Sequence, residues 1–326
     1  MIITRTPLRV TLGGGGTDLP SYYESYGGFV LSAAISKYIF ISVNRTFTDD
    51  YFLKYSALER VDVPAHVEHP IMREVLLAHD VGPGVEIVST ADIPAGTGLG
   101  SSGAFTVGLL KAVYAARRDH VAAADLADEA CAIEIENLHR PVGKQDQYVA
   151  AFGGVRCYDF RRDGTVAVTP LAMSTDTMHD LEDHLLMFFT GYSRDADKVL
   201  DEQKTKSEGG DQAMIDNLHF VKELGLRSKA ALERGATEEF AALMHEHWEH
   251  KKKRSVAMSN DRIDDWYQLG RDAGALGGKL VGAGAGGFLL FYTRRATALR
   301  AAMREEGLAE VRFGFDHDGS TVLVRD

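Results

Sequence analysis

Residues 94–103 read Pro-Ala-Gly-Thr-Gly-Leu-Gly-Ser-Ser-Gly, with four glycines and two serines in ten positions. Glycine loses more backbone freedom in regular structure than any other residue, so this stretch continues neither a strand nor a helix. It therefore ends the apolar pattern of residues 85–93, Val-Glu-Ile-Val-Ser-Thr-Ala-Asp-Ile, and opens a new element. Phe105, Leu109, Ala112, Val113 and Ala116 fall at helical spacing, and a serine pair stands where an N-cap belongs. Small residues at such a junction let backbone N–H groups close on an anion, with the positive end of the helix dipole pointing the same way. A serine hydroxyl placed there can also ligate Mg²⁺.

Two familiar phosphate templates fit only partly. Gly98 to Gly103 satisfies Gly-x-Gly-x-x-Gly, yet a dinucleotide fold needs its glycines tight against a strand and a second strand after the helix. Here Ile93-Pro94-Ala95 intervene, another helix follows, and Asp119 lies between the two helices. No Gly-Lys-Ser/Thr follows, so the loop is not a Walker A sequence.

Around this loop, residues 2–12 and 29–47 read as strands and 69–80 as a short helix. From about residue 175 the pattern changes. A strand over 184–192 leads into three or four polar helices across 195–274, then a returning strand over 278–293 and a helix over 296–306. The last stretch reads as a strand pair turning at Asp318-Gly319. Residues 202–212, Glu-Gln-Lys-Thr-Lys-Ser-Glu-Gly-Gly-Asp-Gln, look the most linker-like and are expected to be a mobile loop. Two domains are expected, 1–175 and 176–326. A net charge of −11 argues against nucleic acid as a partner, and the apolar runs are too short to span a bilayer. Two cysteines without a Cys-x-x-Cys pair suit a reducing, cytoplasmic setting.

Two further glycine-rich stretches bear on the loop. Residues 8–23 end a strand in four glycines followed by Thr17 and Asp18, and residues 277–292 place six glycines around a strand start. Together with residues 94–103 and with 143–154, Gly-Lys-Gln-Asp-Gln-Tyr-Val-Ala-Ala-Phe-Gly-Gly, this ordered set resembles the GHMP kinase superfamily over essentially the whole chain. That superfamily includes the galacto-, homoserine, mevalonate and phosphomevalonate kinases. The resemblance implies an α+β, two-domain fold, with an S5-like N-terminal domain and a ferredoxin-like C-terminal domain whose 282–287 loop closes on the active site.

The resemblance also implies roles. Pro94, Gly96, Gly98, Leu99, Gly100, Ser101, Ser102 and Gly103 would wrap ATP. Ser102, with Ser101 the alternative, would hold Mg²⁺ together with Glu134, for which Glu136 is the fallback. Asp146 matches the catalytic aspartate, as a base or only as an orienting group, and Arg9 matches an arginine beside it. Asp18 matches a sugar-binding aspartate, with Gly15, Gly16 and Thr17 in its turn. Galactokinase has Glu-His where this chain has Gly15-Gly16, so a larger or differently placed sugar is expected.

Residues 13–28, 133–154, 188–203 and 247–260 look most like the heptose 7-phosphate kinase branch, which phosphorylates the anomeric hydroxyl of D-glycero-D-manno-heptose 7-phosphate. Arg194 and the run Lys251-Lys252-Lys253-Arg254, Lys251 and Lys252 first among them, would serve the substrate phosphate, and Gly284 of the closing loop would also bind substrate. The partners are then a sugar phosphate and ATP, with neither nucleic acid nor membrane, and a homodimer left open. The rival acceptors are fucose or another seven-carbon sugar phosphate; a non-catalytic sugar sensor is the rival in kind. His245, His247 and His250 read as a surface face, and Trp248 and Tyr22-Tyr23 as packing.

Overall fold

The computed structural model describes residues 1–191, 196–255, 258–282, 284 and 286–325. The first half runs β1 (Ile2–Gly13), α1 (Pro20–Tyr26), β2 (Gly28–Arg45), β3 (Tyr51–Lys54), β4 (Leu58–Val61), α2 (Pro70–Ala78), β5 (Val85–Ala91), α3 (Ser101–Arg117), α4 (Ala123–Cys131), α5 (Gln145–Phe152), β6 (Val155–Phe160) and β7 (Val166–Pro170). The second half adds α6 (Thr175–His184), β8 (Leu185–Phe189), α7 (Ala196–Glu208), α8 (Gln212–Glu233), α9 (Thr237–Lys251), α10 (Asp261–Asp272), β9 (Ala275–Leu280), β10 (Phe288–Thr293), α11 (Ala296–Glu305), β11 (Ala309–Glu310) and β12 (Thr321–Arg325).

β2 organises the first sheet. Gly28–Ile35 are buried without alternation, because α8 covers one face and α3 and α5 the other. Beyond that, Ile39, Ile41 and Val43 alternate with more open residues, as in a strand covered on one face. β1 pairs along one side of β2; β6 and then β5 pair along the other. The order is β12-β1-β2-β5-β3-β4, with β6 and β7 branching from β2. The second sheet, β11-β8-β10-β9, is antiparallel throughout.

Three expectations are corrected. The returning stretch 278–293 is two antiparallel strands, β9 and β10, joined by the glycine-rich loop. Asp318-Gly319 does turn, but its flanks are not a hairpin: β11 pairs β8 in the second sheet while β12 pairs β1 in the first. Most of the linker-like stretch 202–212 is helical, with Gln203 and Ser207 buried, and only Gly209-Gly210 forms a turn.

Candidate active site

The three glycine-rich segments meet. A Cβ on Gly282 would lie 2.4 Å from Gly98 Cα, and one on Gly287 only 2.1 Å from Thr97 O, so backbone packs on backbone. Arg9 of β1 donates its N–H to Leu99 O at 3.0 Å and its NH1 to Gly98 O at 2.5 Å. The meeting point borders a cleft of about 1010 Å³ lined from both halves of the chain.

α3 enters this cleft by its N-terminus. Its cap is Gly100 in the left-handed region, φ 78°, and no side chain caps the helix. The serine pair therefore occupies the first helical positions rather than the cap. The first-turn N–H groups keep no side-chain acceptor and are free to take an anion. Ser101 Oγ is buried and has no hydrogen-bond partner among the described residues. Ser102 Oγ donates to Glu134, which sits behind it on a π-helical turn, Ala132–Asn137, continuing α4. Glu134 also accepts from Thr106 Oγ1 at 3.1 Å, Gln147 Nε2 at 2.8 Å and Arg140 NH1 at 2.9 Å. Burial pushes its carboxyl up against those bonds. Arg140 also donates to Ser102 Oγ, so one guanidinium bridges the two oxygens. Glu136 is exposed.

Asp146 stands at the first turn of α5. Arg9 Nε donates to its Oδ1 at 2.7 Å, and Gln145 Nε2 does so at 3.1 Å, with Gln145 held in turn by Thr11. The helices α3 and α5 meet at Gly103, where a Cβ would come within 2.8 Å of Asp146 Cβ. The Gln145 N–H donates to Asp18 Oδ2 at 3.2 Å, so a single residue step ties the two carboxylates together. Burial, and then the charge of Asp146, raise the Asp18 carboxyl above its ordinary range.

Arg9, Gly15, Gly16, Asp18, Pro94, Gly96, Gly98, Gly100, Ser101, Ser102, Asp146 and Lys251 all line the cleft. Leu99 and Gly103 support it from behind. Four expectations change. The Thr17 hydroxyl is engaged with Gly14 O and with the backbone of Phe29, so it pins the turn and offers nothing to a sugar. Lys252 faces away, where Glu249 and Asp264 hold its ammonium. Gly284 packs on Met258. The space over Gly16 is filled, since a Cβ there would lie 2.6 Å from Arg254 NH1 and 3.1 Å from Gln203 Nε2. Arg194 lies outside the described residues.

His247, read as a surface residue, is buried in the cleft wall, and so are Lys279 and Arg254. The strand pattern gave no sign that Lys279 points inward. The one usable signal was the helical step of four from His247 to Lys251, which puts both on one face. Among the described residues no group of three or more His, Cys, Asp and Glu forms a metal cluster, and no helix is long and apolar enough to cross a membrane.

A family model described as "GHMP kinases N terminal domain" matches residues 67–154, and one described as "GHMP kinases C terminal" matches residues 228–309. The chain is 32% identical to a D-glycero-alpha-D-manno-heptose 7-phosphate kinase of Campylobacter jejuni, over 98% of this chain and 97% of that one. It is 26% identical to a galactokinase of Pyrococcus furiosus, covering 95% and 94% respectively. A crystal structure of a D-glycero-D-manno-heptose 1-phosphate kinase from Bacteroides thetaiotaomicron superposes with a TM-score of 0.82 at 26% identity, covering all of both chains. With both halves matched and one relative alike from end to end, the chain belongs to the GHMP kinase family.

Proposed function

We propose that this chain transfers the γ-phosphoryl group of ATP to the anomeric hydroxyl of D-glycero-D-manno-heptose 7-phosphate. The observation that carries the reading is the Asp146 carboxylate, held by Arg9 beside the open N-terminus of α3, in the same cleft as Asp18. In the reaction a bond forms between the sugar oxygen and the γ-phosphorus while the bond to the bridging oxygen breaks and ADP leaves. Asp146 takes or orients the hydroxyl proton. Arg9 holds that carboxylate in position, and the α3 N–H groups face the charge on the transferring group. Asp18 accepts hydrogen bonds from sugar hydroxyls.

The donor set beside the loop fits Mg²⁺. Ser102 Oγ and Glu134 supply hard oxygens at the phosphate end of the cleft, and this ion needs only one or two protein ligands besides phosphate. Bound there, it would neutralise triphosphate charge. Arg140 must then leave the two oxygens it bridges. Two free, buried cysteines suit a reducing cytoplasm.

A second acceptor is kept because the Bacteroides relative is named for a heptose 1-phosphate. ADP release over a panel of heptose 7-phosphate, heptose 1-phosphate, fucose and galactose, with the product read by phosphorus NMR, decides among them. Turnover of the 7-phosphate at its anomeric position is expected; none would end this reading. Asp146→Asn should lower kcat by about 10²–10⁴, with the KM for ATP within threefold.

A further inference from the structure

Beside the acceptor turn, the cleft has a wall of basic residues that no carboxylate among the described residues ion-pairs. Lys251 ends α9, Arg254 follows it, Lys279 lies on β9, and all three are at least nine-tenths buried. Lys251 Nζ donates to Leu280 O at 3.2 Å and to Gly282 O. Lys279 Nζ donates to Leu12 O at 3.1 Å. Arg254 donates to Asn217 Oδ1 at 2.8 Å and to Gly15 O at 3.2 Å. Every one of these acceptors is neutral, and among the described residues no carboxylate forms an ion pair with any of the three. The charge of Asp18 does reach Arg254.

Buried cations held only by carbonyl dipoles remain costly, so an arrangement like this calls for an anion. The imidazole of His247 adds a second sign. It is 4% exposed and lines the cleft, yet its Nε2 has no partner, while its Nδ1 lies 3.5 Å from Lys279 Nζ. With Nδ1 facing an ammonium, the proton belongs on Nε2, which makes that atom an idle donor in a wall of donors. Such a site stands out in a chain of net charge −11.

Arg254 fixes the acceptor end of this wall, since it rests on Gly15 and Gly16, the turn that carries Asp18, while Lys251 at its other end reaches Gly282 O in the loop that packs on Gly98. We propose that Lys251, Arg254 and Lys279, with His247, are the receptor for a phosphate monoester carried by the acceptor sugar. The enzyme thereby selects a sugar that is already phosphorylated. This deepens the kinase reading and rests on it for the identity of the sugar.

Two measurements test it. In steady-state kinetics with heptose 7-phosphate, Lys279→Met and Arg254→Gln should each raise the acceptor KM at least tenfold, leave the KM for ATP within twofold, and give partial recovery in Arg254→Lys. In thermal unfolding without nucleotide, inorganic phosphate should stabilise the wild-type chain and do so less in Lys279→Met, whose fold circular dichroism checks. A rise in the KM for ATP with an unchanged acceptor KM would assign the wall to the triphosphate and overturn the proposal. Equal turnover of phosphorylated and unphosphorylated sugar would overturn it too, while leaving the kinase reading intact. Phosphate stabilisation that depends on Lys279 supports the wall even where the heptose proves to be the wrong sugar.

Discussion

Lys279 shows at a single residue how burial and chemistry interact. Burial first, then the positive charges of Arg9 and Arg254, push its ammonium down to about 7 from 10.5. His247 and Lys251 face the same space and add no negative charge. Without an anion on the wall, the unfolded chain holds this proton between those two values and the folded chain does not, so unfolding free energy rises with pH across that window. Urea unfolding at pH 7, 8 and 9 should therefore give wild type a steeper rise than Lys279→Met; parallel slopes would show that the lysine is not desolvated. The meeting of Arg9 with Asp146 was legible in sequence, because both lie in motifs whose order is itself informative. The cation wall was not. In the run 251–254 all four residues are basic, and only the helical phase decides that Lys251 follows His247 inward while Lys252 turns toward Glu249.

At the scale of elements, glycines do the positioning. Gly98 and Gly282 both adopt left-handed backbone, φ 82° and 81°, and pack so closely that neither leaves room for a Cβ on the other's side. A methyl group on Gly282 faces both that strain and a 2.4 Å approach to Gly98 Cα, which no rotamer change relieves. Gly282→Ala should lose roughly 1–3 kcal/mol of stability from strain alone and raise the KM for ATP several-fold, since the loop that packs on residues 97–98 is displaced. Thermal unfolding and nucleotide titration read the two effects; an unchanged KM would show that the contact does not shape the nucleotide loop. The glycine content of these turns is visible in the sequence, but their pairing is not. The Asp318-Gly319 turn shows why: local turn chemistry is real there, yet the flanking strands find partners more than a hundred residues away, β8 and β1. The helix over 202–208 was illegible for a related reason. Its sequence is polar, and its order depends on Gln203 reaching Gly16 O and on Glu202 meeting Ser255, contacts no local pattern announces.

For the molecule as a whole, the change of pattern near residue 175 marks where α6 begins, but packing crosses that point freely. The main hydrophobic core joins Val10, Phe29 and Leu31 of the first sheet to Leu224, Leu232, Phe240 and Leu290 of the second half. α8 lies so close to the first sheet that a Cβ on Gly13 would come within 2.9 Å of Gly225 Cα. β12 closes the edge of β1, with Thr6 and Ser320 hydroxyls 2.8 Å apart beside it. Removing residues 176–326 would expose the apolar face under α8 and leave β1 as an open edge, two conditions that favour aggregation over folding. A fragment of residues 1–175 is therefore expected to show no cooperative thermal transition, and adding residues 176–326 as a separate chain should restore one. A fragment that unfolds cooperatively alone would mean that the two halves are independent units and that the cleft is an interface between them. The cleft as described is instead one surface of a continuous core. In it Arg9 and Asp146 come from one half and Lys251, Arg254 and Lys279 from the other, so the geometry of the reaction is set by the same packing that holds the chain together.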